Sequence, residues 1–195
     1  VMVPEISLTP QTIGRFHKRY GNRVAVFHSA LSMGERLDEW KRVKNGQALI
    51  AVGTRSAVFA PFEHLGLIIM DEEQEYTYKS ESSPRYHARE VAKYRCAYHN
   101  ALLVLASATP SLESYFMAEN GRYSLESLPH RYGDAKLPEV IIADMNEQLP
   151  TGNTTAFSNE LIQALEENLE RKEQSILLLN RRGYHTFVSC KHCGE

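Results

Sequence analysis

Four nearly unbroken apolar runs punctuate the first half of the chain: RVAVFH (23–28), QALIAVG (47–53), LGLIIMD (65–71) and ALLVLAS (101–107). A strand covered on one face alternates apolar and polar side chains, whereas runs without alternation read as strands buried on both faces of a parallel sheet. Between the runs lie helical patterns with start and stop signals. Thr9 and Pro10 supply a cap and a first-turn proline for a helix over 10–20, which Gly21 ends. Ser32 with Glu35 forms a capping box that opens a helix over 33–44, closed by Asn45-Gly46. Val91, Ala92 and Arg95 keep helical spacing within 86–99, and Pro110-Ser111 opens a further helix. Strand and helix in alternation predict crossover units and a doubly wound α/β sheet.

A second region follows. PHRYGDAKLPEV (129–140) is turn-rich and NEQLPTGNTT (146–155) is a polar linker. An amphipathic helix over 158–172 carries Leu161, Ile162, Leu165 and Leu169 on one face, and SILLLN (175–180) reads as a strand. Both ends look cut. VMVPE at the start resembles the end of a strand, and CKHCGE at the end stops just past a metal-type cysteine pair, so the expectation is a piece of something longer.

Composition narrows the class without deciding it. The chain has 195 residues, 43% hydrophobic and 24% charged, which suits a globular α/β protein. A net charge of −2 gives no global basic field, so any nucleic-acid site must be a local patch. No apolar run approaches the ~20 residues that cross a bilayer. Three cysteines do not make a secreted disulfide framework, and the expected setting is the cytoplasm. Cys96, on a helix with apolar neighbours, reads as an inert core thiol.

Chemistry concentrates at the strand ends. In an open α/β sheet, ligands bind beyond the carboxyl ends of the strands, and Asp71-Glu72-Glu73 sits at one of them. An acidic pair there suits Mg²⁺ held through water and a carboxylate that polarises the water attacking a γ-phosphate; the plainer reading is a solvated acidic turn. A second buried run ends in Ser107-Ala108-Thr109-Pro110, whose hydroxyls can bond to those carboxylates or simply cap the next helix. An apolar strand with D-E-x-x followed by one with S-A-T resembles motifs II and III of superfamily 2 helicases.

VPEISLTPQ (3–11), HSALSMGERLDEW (28–40), VGTRSAVFAPF (52–62), DEEQEYTYK (71–79), RYHARE (85–90), SATPSLES (107–114), LPEV (137–140) and LNRRGY (179–184), in this order, carry a closer likeness: the chain resembles the replication-restart DNA helicases of superfamily 2. The resemblance implies a RecA-like parallel sheet flanked by helices as helicase lobe 1 over 1–133, then an interlobe linker and the start of lobe 2 over 134–195. It implies a bacterial, ATP- and Mg²⁺-dependent 3′-to-5′ helicase acting on forked and single-stranded DNA, with primosome proteins and single-stranded DNA-binding protein as partners and no membrane. Asp71 would hold Mg²⁺ through water, Glu72 would activate water, and Ser107 and Thr109 would couple nucleotide state to DNA. Two departures stand out. The family box usually reads D-E-E-H, and here the fourth position is Gln74. No Gly-Lys pair occurs anywhere, so the phosphate-cradling G-x-x-x-x-G-K-[ST] loop is missing and these residues alone are expected to hydrolyse no ATP.

The loop QEYTYKSESSPRYHARE (74–90) gathers Tyr76, Tyr78, Lys79, Arg85, Tyr86, His87 and Arg89. Aromatic faces that stack on bases and cations that track phosphates are how single strands are held, and the family likeness makes this loop the sensor of DNA; otherwise its tyrosines pack against protein. Thr54 and Arg55, after the glycine that ends a strand, suit phosphate contacts, or an ion pair. Arg181 and Arg182 face nucleotide or DNA, or solvent. Cys190 and Cys193, at C-x-x-C spacing, supply one corner of a tetrahedral Zn²⁺ site, and the likeness makes them its first ligand pair. Two rival readings are another superfamily 2 translocase and a catalytically silent DNA-binding or primosome-interaction module. A third is a nucleotide-binding domain with no role on DNA.

Overall fold

The computed structural model describes residues 1–130, 133, 138–148, 155 and 157–178, in two units, Val1–Ser127 and Leu128–Glu195. In the first unit β1 (Val24–Phe27) pairs in parallel with β2 (Ile50–Gly53), and β3 (Leu67–Met70) with β4 (Leu102–Leu105). The opening residues join the two pairs. Met2 bridges Gly53 on one side and Met70 on the other, both in parallel. Val3 N–H donates to the Gly53 carbonyl at 3.0 Å and Met2 N–H to that of Ile69 at 2.7 Å. The spatial order is therefore β1, β2, the Val1–Val3 segment, β3, β4. The chain runs from the centre out to β1, back to β2, and then across to β3, so the order reverses at the central segment. Doubly wound sheets place their ligand crevice at such a reversal.

The helices form where their signals lie. α1 (Pro10–Tyr20) has Thr9 as its cap, accepting from Thr12 N–H, and stops at Gly21 with φ 60°. α2 (Met33–Lys44) carries the complete Ser32–Glu35 capping box, and α3 (Ala88–His99) ends at a left-handed Asn100. α4 (Leu112–Glu119) is capped by Ser111. The core lies between the sheet and α3. It holds Met2, Ala25, Ala51, Ile68, Met70, Ala88, Ala92 and Cys96, and burying a side chain the size of Met70 stabilises by about 1.5–3 kcal/mol. Cys96 is the expected core thiol: burial pushes its pKa up, and its Sγ lies 3.6 Å from the Leu102 carbonyl oxygen.

Two expectations need correction. β4 is half covered rather than buried on both faces: Leu102 and Val104, two residues apart and so on one face, are exposed together with Leu67 opposite Leu102 in β3, whereas Leu103 and Leu105 pack against the core. In the second unit α5 (Met145–Gln148) and α6 (Asn159–Glu170, capped by Ser158) form, but residues 175–178 are not a strand. Ile176 and Leu178 are almost fully exposed there, and an apolar run becomes a strand only when another strand takes its hydrogen bonds.

Gly53 is where the central segment, β1 and β2 come closest. A Cβ there would sit 2.2 Å from the Phe27 carbonyl oxygen and 2.9 Å from the Cβ atoms of Ala57 and Phe27. Gly53→Ala is expected to lose about 1–3 kcal/mol of unfolding free energy in a urea titration, the cost of overpacking a close backbone contact.

Candidate functional site at the strand tips

The chain leaves β3 through a tight turn that fixes all three carboxylates differently. Asp71 N–H donates to the Met2 carbonyl at 2.9 Å, which ties the turn to the central segment and leaves the Asp71 side chain exposed. Glu72 takes φ 47°, in the left-handed region, which costs a non-glycine residue on the order of 1 kcal/mol and tends to be kept at functional turns. Its carboxylate accepts from Gln74 Nε2 at 2.8 Å. The Gln74 Oε1 in turn accepts from Ser107 Oγ at 2.5 Å, and Ser107 Oγ accepts from Thr109 N–H at 2.9 Å. Glu72, Gln74, Ser107 and Thr109 thus form one hydrogen-bonded series across the tips of β3 and β4. Glu73 points the other way. It is 2% exposed, and its carboxylate accepts from Arg89, Ser111 and Ser114. Burial alone would push its pKa up, but these bonds outweigh that and hold it below the usual glutamate range.

The solvated acidic turn is therefore only part of the answer: one carboxylate of the three is inside, neutralised by a guanidinium. Arg89 belongs to that pair and is not a free cation for DNA. Sequence reasoning missed Glu73 and Ser114 because a buried acid cannot be told from an exposed one in a run of three. A partner 16 residues away leaves no periodic signal.

A cleft of about 490 Å³ opens over the loop that follows the turn. Its walls include Ser29, Arg36, Thr54, Arg55, Tyr76 and Lys79, with the carboxylates of Glu5 and Glu81 among them, so it is of mixed charge. Four of these were predicted binding residues, while Ser29 and Arg36 were not singled out. Arg55 donates to the carbonyls of Thr77 (3.2 Å) and Lys79 (2.5 Å), and its guanidinium lies 5.8 Å from the Tyr86 ring centroid. It acts as a strut that presents Tyr76, 78% exposed, and Lys79 at the rim. Tyr86 packs edge-on against Phe59 at 5.0 Å, and Arg85 is exposed outside the cleft lining. Tyr78 is corrected outright. It is 1% exposed, its hydroxyl donates to the Asp71 carbonyl at 2.7 Å, and burial raises its pKa, so no base can stack on it in this arrangement. Arg181, Arg182, Cys190 and Cys193 lie outside the described residues. Among the described residues no group of three or more His, Cys, Asp or Glu is placed to hold a metal ion directly. The exposed Asp71 carboxylate is a hard oxygen donor suited to a Mg²⁺ contact through water.

Residues 1–117 match the family model of the DEAD/DEAH box helicases. The chain belongs to that family. Within it, the chain is similar over its whole length to replication restart protein PriA of Bacillus subtilis strain 168 (54% identity) and of Synechocystis (48%), covering 24% of each, and over 99% of its length to PriA of Treponema pallidum (41%), covering 29%. It spans about a quarter of the length of the relatives it matches. The helicase family gives the turn and the hydroxyl strand a shared context, and the parallel sheet flanked by helices agrees with a helicase lobe. No described helix is long and apolar enough to cross a membrane.

The Tyr78 hydroxyl fastens the turn from below. Tyr78→Phe is expected to cost about 1 kcal/mol of stability in chemical denaturation, the worth of one hydrogen bond in a partly buried site.

Proposed function

We propose that this chain is the ATPase and DNA-coupling part of an ATP-dependent 3′-to-5′ DNA helicase that remodels stalled replication forks and promotes primosome assembly. The hydrogen-bonded series from Glu72 through Gln74 to Ser107, joined through Glu75 to a loop whose Tyr76 and Lys79 stand at a cleft of mixed charge, is the observation that carries the reading. Asp71 would hold Mg²⁺ through water, and the ion would supply charge neutralisation of the phosphates there. The Glu72 carboxylate takes a proton from the attacking water as its oxygen bonds to the γ-phosphorus, and the bond to the bridging oxygen breaks to release ADP. Gln74, Ser107 and Thr109 carry the change of nucleotide state toward the DNA side.

On that side Lys79 holds phosphates and Tyr76 stacks on a base, Arg55 keeps the two together, and Thr54, 6% exposed, shapes the cleft wall from within. Arg85 adds a peripheral cation, while Tyr78 and Tyr86 support the loop from within. The residues here carry no phosphate-cradling Gly-Lys loop, and the 195-residue chain alone is expected to turn over no ATP. Arg181 and Arg182 contact nucleotide or DNA, and Cys190 and Cys193 begin a Zn²⁺ site. The similarity to PriA supports forked and single-stranded DNA as substrates, primosome proteins and single-stranded DNA-binding protein as partners, and a bacterial cytoplasmic setting.

In the full-length protein, Glu72→Gln is expected to lower DNA-stimulated ATP hydrolysis at least a hundredfold while fork binding, followed by fluorescence anisotropy, stays the same. Unchanged turnover removes Glu72 from its role. Tyr76→Ala is expected to weaken binding of a short oligothymidylate by about 1–3 kcal/mol, the worth of one stacked base, and equal affinity would move the strand out of this cleft.

A further inference from the structure

Two of the stretches that carry the family resemblance, RYHARE and SATPSLES, touch neither the cleft nor the Glu72–Gln74–Ser107 series through Arg89, Ser111 or Ser114. They meet instead on the buried carboxylate of Glu73. Arg89 Nη1 donates to Glu73 Oε2 at 3.0 Å, to Ser111 Oγ at 2.8 Å and to Ser114 Oγ at 2.9 Å. Ser111 N–H reaches Glu73 Oε1 at 2.7 Å, and the hydroxyls of Ser111 and Ser114 reach Glu73 Oε2 at 3.2 and 3.1 Å. Glu73 N–H donates to the Ala106 carbonyl at 3.1 Å. Both oxygens of this carboxylate are taken by α3 and the start of α4, and the Glu73 backbone is held by the tip of β4.

The placement along the chain is what gives the cluster a consequence. The aromatic loop begins immediately after Glu73 and ends immediately before Arg89, and within it the Lys79–His87 bridge and Ser80 N–H on the Tyr86 carbonyl at 2.7 Å close residues 80–86. Both ends of the loop are thus pinned to one point. The residue on one side of that point is Glu72, and bonded directly to Glu73 is Ser111, four positions past Ser107. A displacement of the loop moves Arg89, and through the carboxylate it moves the turn that sets Glu72 and the helix start that follows Ser107. A desolvated ion pair with its remaining lone pairs satisfied is a stiff link with few alternative geometries.

We propose that Glu73 and Arg89 are a positioning pair: they transmit the state of the aromatic loop to Glu72 and Ser107 and so set how strongly DNA accelerates hydrolysis. The proposal rests on the reading of the chain as a DNA-stimulated ATPase and adds the element that makes the stimulation possible.

The test uses the full-length protein and compares ATP turnover with and without oligothymidylate, the concentration of DNA giving half-maximal stimulation, and thermal melting. Arg89→Met leaves a buried carboxylate without its cation and is expected to lower the melting temperature. Glu73→Leu with Arg89→Met replaces the pair by apolar side chains of similar volume, an exchange that is often neutral or stabilising. The double variant, which leaves no buried charge unpaired, is expected to melt above Arg89→Met and to need the same DNA concentration for half-stimulation as the wild type, yet to show about a tenfold smaller acceleration by DNA. Recovery of the acceleration together with the melting temperature would mean that the pair only holds the fold, and would overturn the proposal. Ser114→Ala, which removes a single donor from the carboxylate, gives a second arm that does not depend on the double variant folding. Its acceleration by DNA is expected to fall about threefold with little change in melting, and an unchanged value overturns the proposal as well. A wild-type protein that DNA does not stimulate would instead remove the reading on which the pair depends.

Discussion

Everything at the rim depends on three residues in the middle of the sheet. Val1–Val3 take backbone hydrogen bonds from β2 and β3 at once, and without them the two strand pairs would be separate two-stranded ribbons, which are marginal in water. The register of that segment also decides which rim residues are neighbours. Because Met2 is level with both Gly53 and Met70, the next residue on one side is Thr54 and on the other Asp71. The phosphate-type residues after β2 and the carboxylates after β3 therefore emerge side by side. A shift of one residue would turn the apolar side chain of Met2, 2% exposed, to the other face, so the juxtaposition is protected by core packing.

Much of the architecture was legible because periodicity and caps speak locally. Thr9-Pro10, the Ser32–Glu35 box and Ser111 each mark a helix start where one forms, since each satisfies backbone donors that would otherwise be orphaned. The same holds for β1 to β3, which form within their apolar runs, although Leu49 and Leu67 of those runs are exposed. What the sequence could not reveal is coverage by elements distant in the chain. β4 carries as apolar a run as β3 yet is half exposed, and residues 175–178 carry one without forming a strand. Hydrophobicity states that a segment would profit from a partner, not that one is present.

The site divides along the same line. Gln74 and Ser107 stand 33 positions apart, and their meeting follows from the parallel pairing of β3 and β4, which the alternation of strand and helix predicts. Which of seven loop residues face solvent does not follow. Tyr76 and Tyr78 are two apart on a short 3₁₀ turn, where such a separation sends one ring outward and the other into the core. Composition alone gave both the same role. Arg89 is the counterpart among the cations: it reads like Lys79 and Arg85, but it opens a helix that packs on the sheet and meets an acid there.

The residue at the fourth position of the acidic box gains a physical sense from its two bonds. Gln74 donates from Nε2 to the Glu72 carboxylate and accepts at Oε1 from the Ser107 hydroxyl. Only a side chain that donates at one end and accepts at the other can stand between a carboxylate and a hydroxyl that gives its proton away. A carboxylate at this position would have no proton for Glu72. An imidazole has the two functions as a neutral ring, but once protonated both its nitrogens donate and the bond from Ser107 is lost. An amide keeps both functions at any physiological pH. In this chain the link between the strand tips therefore does not titrate, and whatever varies it must be mechanical: the position of the turn that Glu73 anchors and of the loop that begins at the next residue.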